Sequence, residues 1–369
     1  MSTRYSSPTA NLAFEIYREF INRTSHALTD VLGRTGAEEA LRQEWEHIGY
    51  AVPLNVIKRM ELTEKGFVVA GYANNWADLL FLSDQRTELT AYGTRARVIT
   101  CPFSEGSSAF CAAHLHISVP KLCEFLAPDH EAISRKCLAD GDDHCEILIK
   151  ARSIDPDDLW RVPSIGSILP PPIDEEERIL WSHSYFGGCW ITQIKAMSQA
   201  LSAEETLERL RPLMRQTGID LAPKVRRALD IEVDDLRSVA NGLDTLNSAF
   251  LKKGSLVDGT PPGIDRRTTT CPMSGEPSEV CLLFQSFYEG LVTGLNPDLE
   301  LEYSSRMSEG REFCQWTLRN KREKEAKPTR DVAAFDPFAA LSQRYINGEI
   351  SDEEYERKMA MLKKHHPLR

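Results

Sequence analysis

The feature that most constrains the fold of this chain is a pattern of cysteines that occurs twice. In each half a Cys-Pro pair is followed ten residues later by a second cysteine, and a third cysteine ends a Gly-x-x-x-Cys segment further on. The corresponding pairs, each 169 or 170 residues apart, are Cys101 and Cys271, Cys111 and Cys281, and Cys145 and Cys314. Three cysteine pairs in register predict that the chain contains two copies of one domain.

Other residues support the duplication and locate its boundaries. Gly49 matches Gly218 at a spacing of 169 residues and Pro53 matches Pro223 at 170, and a run rich in proline separates the halves. A length of 369 residues suits two domains with some residues to spare. The predicted parts are a first copy (1–154), an extended proline-rich linker (155–180), a degenerate second copy (181–319), a charged linker (320–335) and a helical tail (336–369).

Each copy has the same order of predicted elements. Helices over 37–47 and 52–60, and over 203–216 and 222–229, come first. A β-branched strand then ends at the Cys-Pro pair, a helix carries the second cysteine, and the third cysteine begins a final strand. This order predicts an α+β fold in both copies.

Charge and hydropathy exclude several classes of partner. The net charge is −11 and the pI is near 5.4, which argues against a nucleic-acid footprint and against binding to an anionic membrane. The sequence has no apolar run of about 18 residues for a membrane span and begins without a signal peptide, so we expect a cytoplasmic protein. In a reducing compartment its nine cysteines are metal ligands, reactive thiols or small buried residues rather than disulfides.

The first copy is rich in soft ligands and offers two kinds of site. The candidate residues are Cys101, Cys111, His114, His116, Cys123, Cys137, His144 and Cys145. One hypothesis is a zinc site formed by Cys101, Cys111, Cys137 and Cys145, since zinc takes four thiolate or imidazole ligands. The other is a catalytic group of Cys111, His114 and His116, in which a histidine one helical turn from Cys111 activates its thiol.

The second copy lacks several of these groups. Phe284 and Ser286 stand where His114 and His116 align, and Arg306 stands where Cys137 aligns. Arg311 replaces the aspartate of the Gly-Asp turn. A site needs several groups at once. We therefore expect chemistry or metal in the first copy, and mainly structural cysteines in the second.

The Cys-Pro pair, the second cysteine and the Gly141-Asp142-x-x-Cys145 turn resemble the L-2-amino-thiazoline-4-carboxylic acid hydrolase-like family, which is similar to the 4-vinyl reductase domain and to the Golgi transport-complex ligand-binding fold. The resemblance implies two homologous ligand-binding α+β domains with a helical cap and a pocket near the cysteines, paired as a pseudo-dimer within one chain. It also implies zinc bound by a cysteine pair spaced like Cys137 and Cys145, with Cys111 upstream and Ser134 at the place of an acidic ligand.

The tail predicts a helical hairpin. Asp336-Pro337 is an N-cap followed by proline at the first helical position, Asn347-Gly348 ends the first helix, and Ser351 with Glu354 forms a capping box. The pattern is similar to the short C-terminal (SHOCT) domain. That resemblance implies a homo-oligomer or a protein partner that binds through the hairpin.

Three functions follow as hypotheses from these features. The first is a cysteine-dependent hydrolase that opens a ring of a small heterocyclic or thio-substituted acid in the first copy. The second is a module that binds or senses a small molecule and contains structural zinc. The third is an inactive adaptor that binds proteins. Fold alone does not separate them.

Overall fold

The computed structural model describes residues 8–59, 65–80, 84–106, 108–169, 175–258, 263–321, 351 and 354–357. It contains helices and two antiparallel sheets, which confirms the α+β class. The chain up to Lys321 forms one compact unit, and the chain from Arg322 onward forms a second. No helix among the described residues is long and apolar enough to span a membrane.

The first half of the chain builds a five-stranded sheet and its helices. Its helices are α1 (Pro8–Arg59), α2 (Phe67–Leu80), α3 (Ser108–Ala113), a π-helical turn (His114–Ser118), α4 (Val119–Leu126), a 3-10 turn (Leu138–Asp140) and α5 (Pro156–Arg161). Its strands are β1 (Asp84–Thr90), β2 (Gly93–Thr100), β3 (His130–Lys136), β4 (Cys145–Ala151) and β5 (Gly166–Ile168), in the order β3-β4-β2-β1-β5.

The second half repeats this arrangement with four strands. Its helices are α6 (Glu175–Ala200), α7 (Ala203–Ala228), α8 (Leu236–Ala249), α9 (Ser278–Leu295) and a 3-10 turn (Met307–Glu309). Its strands are β6 (Lys253–Asp258), β7 (Gly263–Thr270), β8 (Leu299–Ser305) and β9 (Cys314–Asn320), in the order β6-β7-β9-β8. Strands β6, β7, β9 and β8 thus lie in the same order as β1, β2, β4 and β3 of the first sheet.

The strand registers also repeat. Val98 of β2 pairs with Cys145, and Thr268 of β7 pairs with Cys314. The register of β3 against β4 shifts between Ser134 and Lys136, and that of β8 against β9 shifts at the corresponding place. The three cysteine pairs therefore occupy the same elements of the two halves, as the duplication predicts.

Two helices differ from the sequence prediction. The predicted helices over 37–47 and 52–60 form one helix, α1, which is broken instead at Gly33, where φ is 70°. Only glycine takes this conformation without strain, and the break lies where α6 and α7 are separated in the second half. Helix α7 likewise joins the two predicted helices and runs through Pro212 and Pro223.

The proline-rich segment is not simply an extended spacer. Residues Pro156–Arg161 are helical, with the Asp155 carboxylate accepting a hydrogen bond from the amide of Asp157 at 2.8 Å. Residues Gly166–Ile168 then pair with β1 and extend the first sheet. The described part of this segment thus belongs to the first sheet, because Asp155 caps a short helix and the following residues find a free strand edge.

The halves pack through the N-terminal helices of each. The Tyr17 hydroxyl lies 2.6 Å from Nδ1 of His183, and the rings of Phe14 and Phe186 are 5.3 Å apart. In the repeat, Phe14 corresponds to His183 and Tyr17 corresponds to Phe186, each 169 residues apart. The Tyr17–His183 and Phe14–Phe186 contacts are therefore equivalent to each other under the duplication. Trp190 packs on Phe20 in the same interface. Each fully buried ring contributes roughly 1.5–3 kcal/mol by leaving water.

The glycine pair of the repeat lies at a helix crossing. A Cβ at Gly218 would lie 2.2 Å from the carbonyl oxygen of Phe287 on α9, and one at Gly49 would lie 2.7 Å from that of Ser118. Glycine therefore lets α1 in the first copy, and α7 in the second, approach the helix that carries that copy's second repeated cysteine.

The predicted hairpin over residues 336–369 lies almost wholly outside the described residues. Within the described part, Glu354–Arg357 are helical and the Glu354 amide donates a hydrogen bond to Oγ of Ser351 at 3.3 Å. This contact is the N-cap half of the predicted capping box.

We expect Gly218→Ala to destabilise the folded protein by about 1–3 kcal/mol. The new methyl group meets backbone atoms that cannot move aside, and this outweighs the roughly 1 kcal/mol of helix propensity that alanine gains. Urea denaturation measures the change. Gly275→Ala is the matched control, because a Cβ there has no atom within 4 Å; equal stability of the two variants would contradict the close crossing.

Folding stability should fall as the pH drops from about 6.5 to 4. Burial, and secondly the charge of Lys252, lower the pKa of His183 to about 4. Between these pH values the unfolded chain binds a proton at this residue that the folded chain excludes, which costs up to about 3 kcal/mol. Urea denaturation at pH 7 and at pH 4.5 measures the loss.

His183→Gln is the test variant, since glutamine offers the Tyr17 hydroxyl an acceptor and does not titrate. We expect it to lose less stability than the wild type over the same pH interval. His114, whose pKa burial also lowers to about 4, contributes equally to both proteins. An identical pH dependence of variant and wild type would show that His183 does not carry this effect.

Candidate functional site

Each half contains a cavity beside its repeated cysteines. The first has a volume of about 40 Å³ and lies between the sheet and the cysteine helix. Its lining residues are Val98, Cys101, Phe103, Phe110, Cys111, His114, Leu115, Cys145 and Ile147. The second has a volume of about 40 Å³ and contains Cys271, Cys281 and Cys314 in its wall.

Four separate pieces of backbone bring Cys101, Cys111, Cys137 and Cys145 together, and all of these except Cys137 line the cavity. Cys101 directly follows the end of β2, where Pro102 begins a turn, and Cys111 lies on α3. Cys137 follows β3 and begins the 3-10 turn, and Cys145 opens β4. The order of strands in the sheet places β2, β4 and β3 side by side, so these sulfurs meet at one end of the sheet.

The thiols of Cys111 and Cys145 each contact the thiol of Cys137. Cys137 accepts hydrogen bonds from both neighbours, which raises the pKa of Cys111 and of Cys145 and lowers the pKa of Cys137. Cys101 is near enough for its charge to act on Cys111 and Cys145. Negative charge in the cluster therefore concentrates on Cys137.

Backbone amides point at two of these sulfurs. The amides of Ala139 and Asp140 lower the pKa of Cys137, and the amide of Leu138 donates to Sγ of Cys145 at 3.3 Å. Gly141, with φ of 93°, allows the turn to close. The Asp142 carboxylate accepts a hydrogen bond from the amide of Cys137 at 2.8 Å, which holds the turn in place. The turn is a concave group of N–H donors that stabilises thiolates.

The structure separates the two predicted histidines. His114 lines the cavity with Cys111, and burial lowers its pKa to about 4. His116 is exposed and does not line the cavity, because residues two apart on a helix face different directions. His144 forms a hydrogen bond with Asp143 and is not among the residues that line the cavity.

A one-residue insertion sets the position of His114. The continuous helix Ser108–Leu126 has 19 residues, whereas α9 has 18. The spacing between corresponding residues of the two copies is therefore 170 at the start of this helix and 169 after its end. The first copy absorbs the extra residue as the π-helical turn that begins at His114. Such turns are frequent at functional sites. The alignment of His116 with Ser286 therefore does not hold throughout this helix.

The remaining two cysteines, one in each half, are packing residues in this structure. Cys123 is buried in the main core, where burial raises its pKa to about 12. Cys189, on α6, is buried in the same core. Neither lines the described cavities.

No group of three or more His, Cys, Asp or Glu side chains in the described ranges is arranged to hold a metal ion as the side chains stand. The sulfurs of Cys111, Cys137 and Cys145 are instead joined to one another by hydrogen bonds. This is the arrangement of two protonated thiols that donate to the Cys137 thiolate, and zinc binding would replace those two protons.

The second cavity differs in charge. Arg306 stands at the place of Cys137 and donates from Nε and Nη2 to Oε1 of Gln285, at 3.0 and 2.8 Å. The ammonium of Lys252 lies 3.6 Å from the ring centroid of Phe284. The sequence predicted that Arg306 excludes a cation but gave no sign of Lys252, because nothing in the sequence distinguishes it from the exposed Lys253.

Comparison with protein-family models, with curated proteins and with solved structures found no match to this chain.

Proposed function

We propose that the first copy is a small-molecule binding module whose cysteines hold a structural zinc ion. Cys101, Cys111, Cys137 and Cys145 are the proposed ligands. The observation that carries the proposal is the meeting of three thiols with three backbone N–H groups aimed at their sulfurs. Neutral thiols packed in a core do not need such donors, whereas metal-bound thiolates commonly have them.

The metal would supply a cross-link. It would join the end of β2, the helix α3 and the β3–β4 turn beside the first cavity, whose wall includes Cys101, Cys111 and Cys145. A site of four thiolates leaves no open coordination position, so the ion would stabilise the site rather than catalyse a reaction. A cytoplasmic protein, with reduced thiols, suits this role.

The first cavity favours a small apolar ligand. Phe103, Phe110, Leu115 and Ile147 form much of its wall, and His114 provides a nitrogen that burial keeps neutral at pH 7. Few polar groups with a large apolar lining are typical of ligand pockets. The ligand would bind beside the zinc thiolates without replacing one.

A hydrolase is the second candidate, because Cys111 and His114 line one cavity. The pKa shifts oppose it: the pKa of the Cys111 thiol is raised and that of His114 is lowered, so both groups stay neutral at pH 7. A nucleophilic thiolate needs the opposite shift for its own pKa. We therefore propose that the resemblance to the thiazoline hydrolase-like family reflects common ancestry and not a shared hydrolase activity.

We also propose that the two copies form an intramolecular pseudo-dimer. The exchange of the Tyr17–His183 and Phe14–Phe186 contacts under the 169-residue shift supports this arrangement. The helical tail would then be left to bind a second copy or another protein, since a hairpin of this size buries little apolar surface by itself.

Metal analysis of the purified full-length protein should find close to one zinc ion per chain. Cys111→Ser and Cys145→Ser should each remove most of this zinc, because a serine hydroxyl is a much poorer zinc ligand than a thiolate. Cys281→Ser and Cys314→Ser are the matched controls from the second copy and should retain it.

Two results would count against the zinc proposal. One is metal-free wild-type protein that also fails to bind added zinc or cobalt under reducing conditions. The other is equal loss of zinc from the first-copy and second-copy variants. A rapidly alkylated Cys111 in metal-free protein would instead favour the hydrolase.

A further inference from the structure

The second cavity contains an amine in surroundings that are unusual for lysine. The Lys252 ammonium lies over Phe284 and at 5.2 Å from the ring centroid of Tyr288, and both rings are almost completely buried. Lys252 is the residue before β6, so its side chain enters the cavity from the edge strand of the sheet. The exposed neighbour Lys253 does not line the cavity.

No anion compensates this ammonium in the described part of the chain. None of the described residues that line the cavity is acidic, and no hydrogen bond or ion pair of the ammonium to a described residue is present. Arg266 and Arg306 add positive charge nearby, and the thiols of Cys271, Cys281 and Cys314 are the opposing groups. Burial lowers the pKa of Lys252, so more of it is neutral amine than of an exposed lysine.

We propose that Lys252 is the nucleophile of a covalent binding site for small aldehydes or ketones in the second copy. A lysine amine in an apolar pocket is the usual group that forms an imine with a carbonyl compound. Phe284 and Trp316 line the same cavity and would contact the bound compound. This site is separate from the zinc site proposed for the first copy.

The reaction balances without a redox partner. The neutral amine of Lys252 attacks the carbonyl carbon, a carbon–nitrogen bond forms, and a carbinolamine results. The carbinolamine then loses its oxygen as water, which takes both protons of the amine, and an imine remains. Tyr303 and Cys314 line the same cavity, and burial raises both pKa values, so both groups keep protons that they can pass to the leaving oxygen.

Arg306 gives the site a preference among carbonyl compounds. Its guanidinium lines the cavity and is held in place by Gln285 and Glu309. Guanidinium pairs well with carboxylate. An aldehyde or ketone that carries a carboxylate should therefore bind better than a neutral one of the same size.

The test is reductive trapping on the full-length protein. The protein is treated with benzaldehyde, or with 4-carboxybenzaldehyde, and cyanoborohydride at pH 7, and the labelled peptides are measured by mass spectrometry. We expect Lys252 to carry at least about tenfold more label than Lys253, and we expect more label from the carboxylated aldehyde. Equal labelling of the two lysines would overturn the proposal.

Two variants complete the test. Lys252→Arg keeps the charge and removes the reactive amine, so it should lose the label while its folding, followed by circular dichroism, stays intact. Lys253→Arg is the matched control and should label like the wild type. If the carboxylated aldehyde raised the melting temperature of Lys252→Arg as much as that of the wild type, the cavity would be an anion site and the imine would be excluded.

Discussion

The hydroxyl of Tyr17 and the imidazole of His183 form a buried hydrogen bond inside an aromatic cluster to which both halves contribute. The rest of the larger unit depends on this contact. The N-terminal helices of the two halves cover each other's apolar faces, so neither half has to bury such a face alone. One end of each sheet is then left to form a cavity. Burial keeps Tyr17 protonated and lowers the pKa of His183, so the bond has one direction, from the tyrosine to the histidine.

The two cavities share one scaffold and differ in the side chains that line them. The sheet order, the register shift and the turn before the last strand are shared, and so are three cysteines. The first copy adds Cys137 and, through an inserted residue, the π-helical turn at His114. The second copy has Arg306 in place of Cys137 and adds Lys252. Positive side chains thus stand in the second copy where the first concentrates negative charge, and on this difference we base the proposals of a cation for the first copy and a carbonyl or anionic compound for the second.

Much of this architecture could be predicted from the repeated cysteine, glycine and proline residues. Their positions mark the ends of strands and helices, which hydrophobic patterns alone do not locate. The spacing of Cys101, Cys111 and Cys145 is enough to predict a strand end, a helix and a strand start. The passage of α7 through Pro223 could not be predicted, because packing against the partner copy overrides local preference there. The position of the Lys252 ammonium could not be predicted from the sequence either. The path of the chain before β6 decides whether a lysine there meets water or aromatic rings.

Our central proposal is that the first copy, and not the second, holds a metal through sulfur alone. X-ray absorption at the zinc edge of the purified, reduced protein tests this most directly, because it reports the atoms bound to the ion. We predict a first shell of sulfur at about 2.3 Å, with no nitrogen or oxygen ligand. A first shell that contains oxygen or nitrogen at about 2.0–2.1 Å would contradict this, since the ion would then be held by His114 or by water, in a site open to catalysis.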